Sequence, residues 1–207
     1  MDNVITDVSL RAVARGTLAQ APRNFRYPSR SFGVKIAMII RPAERKDEEG
    51  AGVVCATVLS QNHPYHYEKN IGLAETLNLV AEKEGIVVGF VSVLLSICNP
   101  QGQHLWERVA PYIAFIGVVA EQQRKGIGNL LLRSAIHGAA IRCPNEPVVY
   151  LEHEIESEAR RLYERIGFRT VSDDEILMAT GLHPKGPVMC FDLDRARKMA
   201  ALRSGVP

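Results

Sequence analysis

A nearly pure apolar run, Tyr112–Ala120, gives way to Glu121-Gln122-Gln123-Arg124-Lys125-Gly126-Ile127-Gly128 and then to a stretch with apolar residues at 127, 130, 131, 135 and 139. The pattern reads as a buried strand, a two-glycine loop and an amphipathic helix. Glycines let the backbone turn sharply and leave its amides facing outward, beside the positive end of the helix dipole. Such a junction binds anions and suits a pyrophosphate, with Arg124 and Lys125 as cations at its rim. A dinucleotide fingerprint would need a third glycine where Leu131 stands, and a phosphate-binding P-loop would need Gly-Lys-Ser/Thr; neither is present. About 35 residues further on, Leu162-Tyr163-Glu164-Arg165-Ile166-Gly167-Phe168 closes another helix, with Gly167 as its C-terminal stop.

The elements that must position these residues follow from the pattern of the chain. A strand-like run, Lys35–Ile40, ends at Arg41-Pro42, and residues 44–59 read as a helix. A loop rich in rings follows (His63, Pro64, Tyr65, His66, Tyr67), then a short helix from Glu68 to Glu75. Leu77–Glu82 and Ile86–Ile97 form a hairpin turned at Glu84-Gly85, and residues 98–111 form a polar loop carrying Trp106. After the helix Gly126–Ile141 come a strand at Val148–Leu151 and a helix at Glu156–Ile166. A short strand near Arg169–Ser172, a loop to Pro187 and a last strand Val188–Leu193 complete the domain. Strands and helices interleave without a strict βαβ repeat, which implies an α+β fold, a sheet with helices on both faces.

Composition bounds the function. The 207 residues are 46% hydrophobic and 23% charged, enough for one core without metals or disulfides. No apolar run approaches the ~18 residues a membrane span needs. Cys55, Cys98, Cys143 and Cys190 are scattered through apolar stretches without metal-ligand spacing, so buried reduced thiols, no metal site and a cytoplasmic location are expected. Residues 1–43 carry seven Lys/Arg and two acidic residues, leaving a body with more acidic than basic side chains, which argues against a nucleic-acid partner. We therefore divide the chain into a basic N-terminal extension (1–35), a working domain (36–195) and a C-terminal tail (196–207). For the extension three readings stand open: an organelle leader, which Asp2 and Asp7 disfavour, a solvated arm, or a segment preceding a start near Met38.

Gln123, Gly126 and Gly128, followed by Tyr163, Gly167 and Phe168, resemble the paired signatures of the GNAT (Gcn5-related) acetyltransferase superfamily, Q/R-x-x-G-x-G/A and Y-x-x-x-G-F. Arg41-Pro42-Ala43 also resembles the family's usual opening. The resemblance implies the GNAT fold, a central mixed, mostly antiparallel sheet, over residues 36–194. It also implies acetyl-CoA as co-substrate and a primary amine, on a small molecule or a peptide, as acceptor. By the same resemblance the amides of Gln123, Arg124, Lys125, Gly126, Ile127 and Gly128 hold the pyrophosphate of CoA. The strand end Ile116-Gly117-Val118 pairs with its pantetheine arm, and Tyr163 protonates the departing thiolate.

Aminolysis of a thioester needs a neutral amine, a polarised carbonyl and a proton for the leaving sulfur. Many relatives keep a glutamate on the strand before the glycine loop, where Tyr112, Ala114 and Ile116 offer none. Glu152, in a Leu-Glu pair resembling that of relatives acting on protein N-termini, is the leading base, with His153, Glu154, Glu82, Glu84 and a water chain as competitors. Where relatives have Asn seven residues before the tyrosine this chain has Glu156, with Ser157 beside it, and Ala120 replaces a common proline. The acceptor pocket is expected from the His/Tyr loop, the 98–111 loop and the 173–187 loop, with Asp173, Asp174 and Glu175 attracting a cation. A non-catalytic CoA-binding module of the same fold is the alternative function. A homodimer is compatible with the sequence.

Overall fold

The computed structural model describes residues 38–59, 66–95, 110–153, 159–180 and 186–204. The N-terminal extension, residues 60–65 of the ring-rich loop, the Trp106 loop, and Glu154, Glu156 and Ser157 lie outside these. Seven strands form one sheet in the order β1-β2-β3-β4-β5-β7-β6. They are β1 (Met38–Pro42), β2 (Thr76–Lys83), β3 (Ile86–Leu94), β4 (Tyr112–Val118), β5 (Val148–Glu152), β6 (Arg169–Thr170) and β7 (Val188–Asp192). Every neighbouring pair is antiparallel except β4 and β5. The sheet is thus mixed and mostly antiparallel, and the α+β reading holds.

Local chemistry explains the elements. The β2–β3 hairpin turns at Glu84 (φ 54°) and Gly85 (φ 80°), the double left-handed pair that lets a two-residue turn follow the strand twist. β2, β3 and β4 supply the centre of the core, with Val80, Ala81, Phe90, Val91 and Val93 fully buried. Among the described residues five helices cover the two faces: α1 (Glu48–Val58), α2 (Ile127–Arg142), α3 (Ala159–Ile166), α4 (Asp173–Thr180) and α5 (Leu193–Ser204). Leu131, Leu132, Ala135, Ile136 and Ala139 of α2 pack on one face with Leu79, Val91, Val149, Leu151, Met189, Tyr163 and Ile166. On the other face α1 packs Ala51, Val54 and Cys55 on Val80, Phe90 and Phe115. Ile176 of α4 packs there against Tyr150, Val188 and Cys190.

Two expectations are corrected. The acidic run Asp173-Asp174-Glu175 is the first turn of α4 rather than a loop, because Ser172 Oγ accepts the Glu175 amide at 3.1 Å and the acidic side chains sit at the positive end of the helix. The short helix expected from Glu68 to Glu75 is a single 3-10 turn over Tyr67–Asn70. Residues 196–204 belong to α5, packed against the end of α2. Arg197 explains why. Its guanidinium donates to the carbonyls of Cys143 and Glu146, both at 2.7 Å, and of Ala140 at 3.2 Å, tying α5 to the last turn of α2 and the turn that follows it. Replacing Arg197 with Ala should lower unfolding free energy by about 1–3 kcal/mol, read from urea denaturation, without altering the glycine loop at the opposite end of α2.

Candidate active site

The site is built around β4. Its ladder with β3 runs from Tyr112↔Leu94 to Val118↔Gly89 but skips Ala114, since Val93 pairs with Ile113 and Ser92 with Phe115. Ala114 is therefore the extra residue of a β-bulge. The bulge breaks the two-residue alternation of a strand: Ile113 joins the core beneath α2, while Phe115, two residues on, joins the core beneath α1. At the same place β4 loses its other neighbour. The parallel pairing with β5 comprises Tyr112↔Tyr150 and Ile113↔Leu151 only. From Ala114 to Val118, a stretch that includes Ile116, Gly117 and Val118, the edge of β4 facing β5 has no ladder partner among the described residues. Gly117 is required for packing as well, because a Cβ there would lie 2.7 Å from the Phe115 ring and 2.9 Å from Val58 of α1.

The loop leaving β4 is tied back to it. Gln123 Nε2 donates to the Val118 carbonyl at 2.9 Å, and Lys125 Nζ donates to the Glu121 carbonyl at 2.7 Å and to Gln122 Oε1 at 3.2 Å. Lys125, expected as a rim cation, thus spends its ammonium on bracing the loop. Arg124 (φ 60°) and Gly126 (φ 82°) both adopt left-handed backbone. At Gly126 this geometry places the N-cap of α2, whose carbonyl accepts the Leu130 amide at 3.1 Å. No side chain caps the helix and its first turn holds no acidic residue, so the amides of Ile127 and Gly128 have no intrahelical partner. Gly128 sits against Leu162 of α3, where a Cβ would find ordinary contact at 3.6 Å.

Glu152 and Tyr163 lie on opposite faces of the sheet. Along β5, Val149 and Leu151 face α2, whereas Tyr150 faces α4, and Glu152 follows Tyr150's alternation. Its carboxylate accepts the Tyr112 hydroxyl at 3.3 Å. Burial, and next the Glu152 charge, push the Tyr112 hydroxyl well above the usual phenol range. Tyr67, the described part of the ring-rich loop's tyrosines, stacks on Phe115 with centroids 5.3 Å apart on this same face. Tyr163 belongs to the α2-side core, 6% exposed, with the rings of His153 and Phe168 at 6.2 and 5.9 Å. Burial alone raises its hydroxyl to about 12.

Of the competing bases, His153 sits beside Tyr163 on the α2 side, and Glu82 is bound to Arg41 at 2.6 Å. That guanidinium also grips Asp47 at 2.6 Å, which holds the buried Asp47 carboxyl below the usual carboxylate range. Glu84 forms the β2–β3 turn. Tyr112 was not singled out from the sequence as a functional residue; a lone hydroxyl at the head of an otherwise apolar strand was the signal. Cys55, Cys143 and Cys190 are free thiols, each pushed up by burial, Cys55 to about 12. Among the described residues no group of three His, Cys, Asp or Glu is placed to hold a metal, and no helix is long and apolar enough to cross a membrane.

Residues 74–170 match the family model described as acetyltransferase (GNAT) domain. An N-alpha-acetyltransferase of Sulfurisphaera tokodaii is 28% identical over 155 residues, covering 69% of this chain and 92% of that protein. In fold, a GNAT-family acetyltransferase from Staphylococcus aureus superposes with a TM-score of 0.58 at 14% identity, over 76% of this chain and 99% of its own. Arabidopsis thaliana NAA60, solved in complex with acetyl-CoA, gives 0.57 at 19% identity with the same coverage.

The buried Tyr163 makes stability pH-dependent in a defined window. From about pH 10 to about pH 12 the unfolded chain has released this proton and the folded chain has not, so stability falls as pH rises through that range. In Tyr163→Phe that share of the alkaline slope should vanish, which melting curves across pH will read.

Proposed function

We propose, for a chain that belongs to the GNAT superfamily of acetyltransferases, that it transfers the acetyl group of acetyl-CoA to a primary amine, foremost the α-amino group of a protein or peptide. The observation that supports the reading is the end of the β4–β5 pairing at Ile113, among the described residues, upstream of a glycine loop at which no side chain caps α2. A strand edge without a ladder partner among the described residues, its Val118 carbonyl held by Gln123, suits the amides of a pantetheine arm, and the loop suits a pyrophosphate. A thioester held along Ile116–Val118 would sit between the two faces of the sheet. The peptide acceptor is supported by the similarity to an N-alpha-acetyltransferase. Glu152 with Tyr112 supports a polar acceptor side, and Asp173–Glu175, committed to α4, are not needed for it.

In the proposed reaction the neutral amine attacks the thioester carbonyl carbon, a new C–N bond forms and the C–S bond breaks. Glu152, directly or through water, takes the proton that the amine loses. Tyr163 gives its proton to the departing sulfur. A tyrosine kept neutral by burial is a competent donor to a thiolate, since it holds its proton at neutral pH. Most of the rate gain comes from positioning, because an amine attacks a thioester without covalent help from the protein.

Thiol release from acetyl-CoA across polyamines, aminoglycosides, amino acids and short peptides tests the reading. Release should be fastest with peptides bearing a free N-terminus. Tyr163→Phe should lower kcat by about 10²–10⁴-fold while CoA affinity, measured by calorimetry, stays within twofold, roughly the scatter of such measurements. Tight CoA binding with no release for any amine would instead identify a non-catalytic binding module.

A further inference from the structure

We infer that Arg161 and Arg165 of α3 form a phosphate subsite for the 3′-phosphate of CoA, so that the chain distinguishes CoA from its 3′-dephospho form. The inference rests on the cofactor reading above and concerns the nucleotide end that reading leaves unassigned. α3 lies against the start of α2: a Cβ on Gly128 would touch Leu162 at 3.6 Å. Arg161 precedes Leu162 by one residue and Arg165 follows it by three, so the two arginines and Leu162 share one flank of the helix. Arg160 and Glu164 occupy the opposite flank, where they pair at 2.8 Å. Tyr163 and Ile166 face the core.

Arg161 and Arg165 are both exposed, and they bear like charges one helical turn apart, an unfavourable arrangement unless an anion joins them. Neither has a carboxylate partner among the described residues. Within the glycine loop, the first turns of α2 and α3 itself, residues 121–133 and 159–166, six Lys/Arg stand against two Glu. The chemistry of the ligand fits the layout. With the thioester along the β4 edge and the pyrophosphate at Gly126–Gly128, the nucleotide lies on the far side of the loop from the reacting atoms. Its phosphomonoester then needs a cationic partner beside the start of α2. Lys125 is folded onto its own loop, whereas the α3 pair has no ion-pair partner among the described residues. Guanidinium groups suit a phosphomonoester because each presents parallel N–H donors to its oxygens.

Calorimetric titration of the full chain with CoA and with 3′-dephospho-CoA, for the wild type and the double variant Arg161→Ala/Arg165→Ala, tests the subsite. The wild type should bind CoA at least about tenfold more tightly than the dephospho form, as charge-assisted contacts to one phosphate imply, with the ratio shrinking as salt is raised. The double variant should bind both forms alike, at the wild-type affinity for dephospho-CoA. Both substitutions are on exposed positions, and an unchanged melting temperature without ligand confirms that the variant is folded. A wild type that does not discriminate, or a variant that discriminates as the wild type does, overturns the subsite while leaving the cofactor reading intact. A wild type that binds neither form overturns both.

Discussion

The structure depends on one strand being held on one side and released on the other. β4 is laddered to β3 through to Val118, yet it keeps β5 for only two residues. The bulge at Ala114 is where the two behaviours meet. A bulged strand bends and twists more than its neighbours, so β4 veers from β5 without losing β3. Everything placed downstream follows that bend: the unladdered edge, the Gln123 clasp on Val118, and the direction in which α2 leaves the sheet. α2 then covers the face on which Tyr163 is buried, so the loop and the proposed proton donor are fixed by the same core.

Because the sheet is one layer thick at this edge, its two faces offer two electrostatic environments to a group lying between them. The Glu152 side presents a carboxylate bonded to a phenol; the Tyr163 side presents a phenol among apolar rings. Neutral tyrosine on one face and carboxylate on the other is the separation that a proton-transfer reaction requires of its acid and base. Two arginines brace this arrangement from a distance. Arg41 joins β1, β2 and the turn before α1 through Asp47 and Glu82, and Arg197 locks α5 onto the end of α2.

The sequence was legible where a single residue type carries a backbone requirement. Gly126 reads as an anion loop because its left-handed conformation suits glycine, and Glu84-Gly85 reads as a turn for the same reason. The bulge at Ala114 was not legible, since an alanine in an apolar run signals neither face nor register; only the partner strand reveals the skipped residue. Ser172 before three acids was a readable helix start, hidden by the expectation that residues 173–187 form a loop of the acceptor pocket. The attachment of α5 to the end of α2 was not legible, since Arg197 makes it through carbonyls over 50 residues earlier, a contact that no local pattern encodes. The Tyr112–Glu152 bond, 40 residues apart in sequence, is of the same kind.

The burial of the thiols bears on the chemistry as well as the packing. A protein that handles a thioester risks losing the acyl group to its own sulfur, because thiolates exchange with thioesters and thiols do so poorly. Cys55 lies in the core that Phe115 joins, on the face of the sheet covered by α1. With its thiol raised to about 12, only on the order of one molecule in 10⁵ carries the thiolate at neutral pH. Desolvation of Cys55, and in the same direction of Cys143 and Cys190, makes these described thiols poor competitors for the acyl group in the proposed transfer to an amine.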